Sequence, residues 1–154
     1  MDGSRSMVIV SAHAADFVWR AGGAIALHTE AGGSATVVSL SYGENGESGD
    51  LWRVPGQTVE AVKEHRHAEA SSAASALGAE FIPLDLGDYP LEVPTESLRQ
   101  LASIYVENKT DVLLVHAPED PFNPDHPVAS EAAQKARLLA MGAGGVPASF
   151  ETIP

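Results

Sequence analysis

The chain has 154 residues, with 9 Lys+Arg against 21 Asp+Glu and a formal charge of −12. That charge repels phosphate backbones and anionic bilayers, which excludes nucleic-acid binding and polybasic membrane attachment as main functions. The absence of cysteine excludes disulfide scaffolds, thiolate zinc sites, iron–sulfur clusters and cysteine nucleophiles.

Apolar runs alternate with helical patterns along the chain. Met7 to Ser11 predicts a buried strand, and Phe17 to Ala31 a helix with Asp16 near its start. Ala35 to Leu40 predicts a second strand. Tyr42 to Gln57, rich in glycine and polar residues, reads as a long loop. Thr58 to Leu77 predicts a long helix, capped by Thr58 and stopped by Gly78. Glu80 to Leu84 follows as a third strand, then a loop holding Gly87, Asp88 and Pro90. Thr95 to Asn108 predicts a helix and Val112 to His116 a fourth strand. Pro118 to Pro127 reads as a second polar loop and Val128 to Met141 as the last helix. Gly142 to Pro147 reads as a loop, and Phe150 begins a segment that stops at Pro154, so a fifth strand is expected to be incomplete.

Strands alternating with helices imply parallel crossovers: an α/β fold with an open, mostly parallel, Rossmann-like sheet and helices on both faces. One domain over residues 1–154 is expected, cut short at its C-terminus. No apolar run reaches the roughly 20 residues of a membrane span. Met1 to Ser6 does not read as a signal peptide, so a cytoplasmic location is expected. In open α/β sheets ligands bind outside the carboxyl ends of the strands. That directs attention to the segments after Ser11, Ser41 and Val115.

His13 and Asp16 lie three apart where the first strand turns into the first helix, and His126 lies in the loop after the fourth strand. Two imidazoles and a carboxylate form a common catalytic zinc set with one open position. From spacing alone, a histidine after a strand is more often a hydrogen-bonded loop residue; the shared position at the carboxyl edge of the sheet brings the metal reading level with it.

The run Ser11-Ala-His-Ala-Ala-Asp16, the pair Gly22-Gly23 and the later Asn123-Pro-Asp-His126 resemble the LmbE-like (PIG-L) zinc deacetylase superfamily. Arg66-x-x-Glu69, Leu77-Gly78 and Asp88 extend the likeness over nearly the whole chain. The resemblance implies an LmbE-like α/β fold and a zinc ion held by His13, Asp16 and His126. One position departs from the pattern: the deacetylases carry their general base, an aspartate, where this chain has Ala15. A methyl group takes no proton from water, and general-base catalysis contributes typically about 10²–10⁴-fold.

The segments Ser41 to Ser48, Leu51 to Arg53, Leu86 to Leu91 and Asp120 to Pro127 are similar to the 4-oxalomesaconate hydratase branch of that superfamily, in which Ala15 is expected. That likeness implies hydration of a carbon–carbon double bond of a muconate-type tricarboxylate in gallate and protocatechuate catabolism. Its members are also longer than this chain. The reaction needs a base, for which Glu47 is the candidate and Glu44 an equally placed local choice. His116 is a candidate acid or outer residue, and Asp125 a candidate for orienting a histidine. Arg20, Arg53, Arg66 and Asp88 are candidates for contact with a small polycarboxylate substrate, each with an ordinary surface or turn role as its alternative. A homo-oligomer is expected, with no nucleic-acid or membrane partner. The rival functions are an N-acetyl-sugar deacetylase with a substituted base and an inactive metal-binding domain.

Overall fold

A computed structural model describes residues 5–142. Its elements run β1 (Ser6–Ser11), α1 (Asp16–Glu30), β2 (Ser34–Ser39), α2 (Gly49–Trp52), α3 (Val59–Ala76), β3 (Glu80–Pro83), α4 (Thr95–Glu107), β4 (Val112–Leu114) and α5 (Asp125–Ala140). The strands form one sheet in the order β3-β2-β1-β4, every pairing parallel. The expected open parallel sheet is present. Among the described residues no helix is long and apolar enough to cross a membrane.

Side-chain alternation along the central strands builds a separate core on each face. Val8 and Val10 of β1, with Val38 and Leu40 from the second strand and its end, pack with Leu101 and Tyr105 of α4 and the alanines of α5. Met7 and Ile9, with Ala35 and Val37, pack with Phe17 and Ile25 of α1 and Ala70 and Ala74 of α3. Ala129, Ala132, Ala133, Ala136 and Ala140 make a stripe of small side chains along α5. The stripe lets that helix sit close to the sheet and to α4.

Three elements differ from the sequence-based expectation. The glycine-rich segment contains the four-residue helix α2. α5 begins at Asp125 rather than Val128. Pro127 read as a boundary, yet the first turn of a helix needs no partner for its N–H groups, so proline is tolerated there. Asn123 Oδ1 accepts the Asp125 N–H at 3.1 Å and helps start the turn. Pairing of β4 ends at Leu114, opposite Ile9, so Val115 and His116 project past the ladder. The segment expected around Phe150 lies outside the described residues.

Thr58 accepts the Ala61 N–H at the start of α3, and Gly78 at its end has φ +71. There a Cβ would meet Thr29 at 3.2 Å. Gly78→Ala is expected to lose about 1–2 kcal/mol from the left-handed backbone alone. Urea unfolding followed by circular dichroism checks this, with Gly56→Ala (φ +77, open surroundings) separating the backbone cost from the contact with Thr29.

Candidate metal centre

The candidate metal-binding side chains gather at the carboxyl edge of the sheet. The turn after β1 carries His13, and α1 opens on Asp16, whose Oδ2 accepts the His13 N–H at 2.9 Å. That bond closes the turn and brings the two side chains onto one side of it. The loop after β2 carries Glu47, and the first turn of α5 carries His126. His13 Nδ1 lies 3.3 Å from Asp16 Oδ2 and 3.2 Å from Glu47 Oε1. His126 Nε2 lies 3.3 Å from Asp16 Oδ1. One ligand atom from each of the four residues falls within 4.8 Å of all the others.

Two observations show that this group fits a metal ion. His13 Nδ1 and His126 Nε2 are buried and make no hydrogen bond. They stand close to carboxylate oxygens without hydrogen-bond alignment, as lone pairs aimed at a shared ion would. The opposite nitrogens are each held by a carboxylate: His13 Nε2 by Asp125 Oδ2 at 3.1 Å, and His126 Nδ1 by Asp120 Oδ2 at 2.8 Å. Such outer carboxylates fix the tautomer and orientation of a ligating histidine. Two imidazoles and two carboxylates suit a divalent transition metal.

The electrostatics of the metal-free cluster lead to the same reading. Burial disfavours a charged His13, but the carboxylates of Asp16, Glu47 and Asp125 outweigh it and push its pKa up to about 10. Burial likewise opposes charge on Asp16. Its contacts with His116 and His13 prevail and hold the carboxyl well below the usual range. Asp125 is lowered against burial by the N–H groups of Leu91 and Tyr89 and by His13. Without a metal, a proton on His13 supplies the positive charge that the carboxylates require.

The supporting loops explain which acids face the cluster. Asp88, 4% exposed, accepts the N–H groups of Asn45 and Gly46 at 2.9 and 2.8 Å. It thereby pins the loop between Glu44 and Glu47. Glu44 turns into the protein, where it accepts the Tyr42 N–H and lies 3.5 Å from Lys63. Glu47 turns to His13. Asp125 receives the N–H groups of Tyr89 and Leu91 at 2.9 and 3.0 Å, so the loop after β3 is tied to the same imidazole. The Tyr89 ring stacks on His13, with centroids 5.4 Å apart and planes 5° apart.

The remaining candidates separate clearly. His116 stacks on His126 at 4.0 Å, and its Nε2 accepts the Ala12 N–H at 3.1 Å and lies 3.3 Å from Asp16. Arg20 reaches within 3.9 Å of Asp16 and helps line a cleft of about 320 Å³ with Asp16, His116 and Asp120. Arg66 lines a second cavity of about 390 Å³ with Gly46, Glu47 and Ser48. It is paired with Glu69 at 2.9 Å, while its buried Nε is unpartnered. Arg53 is not brought to the cluster: it pairs with Asp50 on the open surface, its side chain 82% exposed. Asp120 and Tyr89 were not singled out by sequence. The Asp120-to-His126 spacing matches no general ligand pattern, and the stacking of Tyr89 depends on a fold-level contact.

The model of the GlcNAc-PI de-N-acetylase (PIG-L) family matches residues 8–137. The chain belongs to this family. It is 48% identical to a 4-oxalmesaconate hydratase of Pseudomonas putida over 143 residues, which are 93% of this chain and 55% of that protein. It is 28% identical to a 1D-myo-inositol 2-acetamido-2-deoxy-alpha-D-glucopyranoside deacetylase of Catenulispora acidiphila, over 94% of this chain and 55% of that one. The crystal structure of GalB, the 4-carboxy-2-hydroxymuconate hydratase of Pseudomonas putida, superposes with a TM-score of 0.93 at 46% identity, covering 97% of this chain and 62% of that one. An N,N'-diacetylchitobiose deacetylase of Pyrococcus horikoshii shares the fold, with a TM-score of 0.81 at 19% identity. The chain thus spans about 55% of the length of the curated relatives it matches.

The proton on His13 makes the centre pH-dependent in two opposite ways. In the chelator-treated protein its pKa rises from 6.5 to about 10. The stabilisation is full below pH 6.5 and is lost as pH climbs through 10. Asp16, lowered from 3.8, contributes above that value and loses its contribution as pH falls through its depressed folded pKa. The urea midpoint of metal-free protein is therefore expected to fall as pH rises from 6.5 to about 10. Metal affinity is expected to rise over the same range, because binding must displace that proton. Titration calorimetry in buffers of different ionisation enthalpy would count the proton released, and a count of zero contradicts the assignment of His13.

Proposed function

We propose that the chain carries the metal centre and base of a zinc-dependent hydratase acting on 4-oxalomesaconate (4-carboxy-2-hydroxymuconate) and giving 4-carboxy-4-hydroxy-2-oxoadipate. The observation that carries this reading is the position of Glu47. Its carboxylate stands 3.2 Å from His13 Nδ1, in a chain that has Ala15 where the related deacetylases hold their base. Support comes from the 48% identity to a hydratase over 93% of this chain.

Zinc held by His13, Asp16 and His126 would supply Lewis-acid polarisation of a substrate oxygen and a lowered pKa for water. The protein's own groups divide the remaining work. Hydration adds the water oxygen to one carbon of the double bond and a proton to the other, with no change of overall oxidation level. Glu47 is the most accessible carboxylate of the four-residue group, its side chain 26% exposed, and is suited to accept the proton from water. Asp125 and Asp120 keep the two imidazoles turned to the metal. His116, stacked on His126 and 3.3 Å from Asp16, is the candidate proton donor. Arg20 and Arg66, beside separate cavities, are suited to the substrate's carboxylates through guanidinium forks. The reading places the protein in the breakdown of gallate-type aromatic acids in the cytoplasm.

Turnover of synthetic 4-oxalomesaconate beside a panel of N-acetylglucosaminides tests the reading. Hydration without deacetylation is expected, and efficient deacetylation would overturn it. Glu47→Gln is expected to lower kcat by about 10²–10⁴-fold with zinc content unchanged. Glu44→Gln is expected to act through stability, because Glu44 faces Lys63. If Glu47→Gln instead loses the metal, Glu47 is a ligand and the proton is handled elsewhere.

A further inference from the structure

The loop after β3 places one side chain against the metal centre that neither ligation nor outer-sphere support explains. Tyr89 has φ +46, a left-handed backbone that an aromatic residue adopts only under constraint. The constraint is visible: the Tyr89 N–H donates to Asp125 Oδ2, the same oxygen that holds His13 Nε2. One carboxylate thus fixes both the imidazole and the residue stacked on it. Burial of the ring is incomplete, since Tyr89 stays 40% exposed.

The ring also bears on the loop that carries Glu47. A Cβ at Gly46 would overlap the ring edge at Cε2 and Cδ2 and would stand 2.8 Å from Cζ, the carbon that bears the hydroxyl. Gly46 is therefore the gap into which the phenol edge fits. Among the described residues the phenol oxygen has no hydrogen-bond partner in the protein, whereas its neighbours Asn45, Gly46 and Leu91 are all engaged by carboxylates. Gly46 and Glu47 themselves form part of the wall of the cavity of about 390 Å³.

We propose that Tyr89 is a substrate-binding residue, its hydroxyl donating a hydrogen bond to a carboxylate of the polycarboxylate held beside Glu47 while its ring forms a wall over His13. An uncharged donor suits that place. The carboxylates of Glu47, Asp125, Asp88 and Asp16 lie near enough to act on the phenol electrostatically, and a further anionic group of the substrate needs a donor there more than it needs another acceptor. The inference rests on the hydratase reading for the identity of the substrate. It concerns only the chemical class of the ligand, an organic polycarboxylate.

The test compares wild type with Tyr89→Phe, which keeps the ring, its stacking and the backbone. The probe is tricarballylate, an unreactive tricarboxylate, titrated calorimetrically into zinc-loaded protein. Loss of one hydrogen bond to a charged group is expected to weaken binding about 10–100-fold, with zinc content and urea midpoint unchanged. With 4-oxalomesaconate the same loss is expected in KM, with kcat changed far less. Rescue by Tyr89→Trp is not expected, because its N–H lies elsewhere on a larger ring. Equal tricarballylate affinity for wild type and Tyr89→Phe, or no binding to either, overturns the inference. A wild type that binds tricarballylate but does not hydrate 4-oxalomesaconate would instead count against the hydratase reading alone.

Discussion

One buried carboxylate organises the site. Asp16, 6% exposed, faces the His13 N–H and three imidazole nitrogens within 2.9–3.3 Å, with Arg20 at 3.9 Å. Removing an ionised carboxylate from water is costly unless it is paired and hydrogen-bonded. The partners come from the turn after β1, the end of β4 and the start of α5, segments far apart in sequence. Their meeting point is set by the sheet order, because β1 is central and β4 adjacent to it. The parallel sheet thus serves the site directly: it delivers strand ends to one edge, and the carboxylate then needs a cation there.

Much of this was legible in the sequence, for reasons that can be named. The two cores follow from odd and even positions of Met7 to Val10, a period-two signal inside a run buried on both faces. Thr58 and Gly78 bound α3 through local chemistry alone. His13 and Asp16 are near neighbours, so a single turn brings them together. His126 comes from more than a hundred residues away, and its pairing with them was carried by resemblance to a family rather than by pattern.

The unreadable parts are those decided by long-range hydrogen bonds. Glu44 and Glu47 lie three apart in one flexible-looking segment, and nothing local separates them. Asp88, more than forty residues on, does so by taking the N–H groups of Asn45 and Gly46. The loop then has one acid on each side of the pinned pair. Of the two roles the sequence offers Asp88, substrate contact or structural turn, its hydrogen bonds to the Asn45 and Gly46 N–H groups serve the turn. Arg53 belongs to the same segment and is drawn away by Asp50, its neighbour in the short helix α2, which polar composition had hidden.

The same geometry bears on how one family can house two chemistries. The turn of His13 and Asp16, the outer carboxylates and the parallel sheet assemble a group able to hold a metal, and none of them specifies the bond to be attacked. What differs is where a free carboxylate stands. The resemblance implies that in the deacetylases it belongs to the residue at the position of Ala15, at the entrance to α1. Here that residue is Ala15, and the accessible carboxylate arrives on the loop after β2, held in register by Asp88. Glu47 also lines a cavity with Gly46 and Arg66, where the proposed reaction would have its polyanion gripped. The overall charge of −12 opposes such a ligand at long range, an effect that salt screens within about 10 Å at 0.1 M. Binding of the proposed polyanion would therefore rest on short-range contacts in the cavity that Glu47 and Arg66 line.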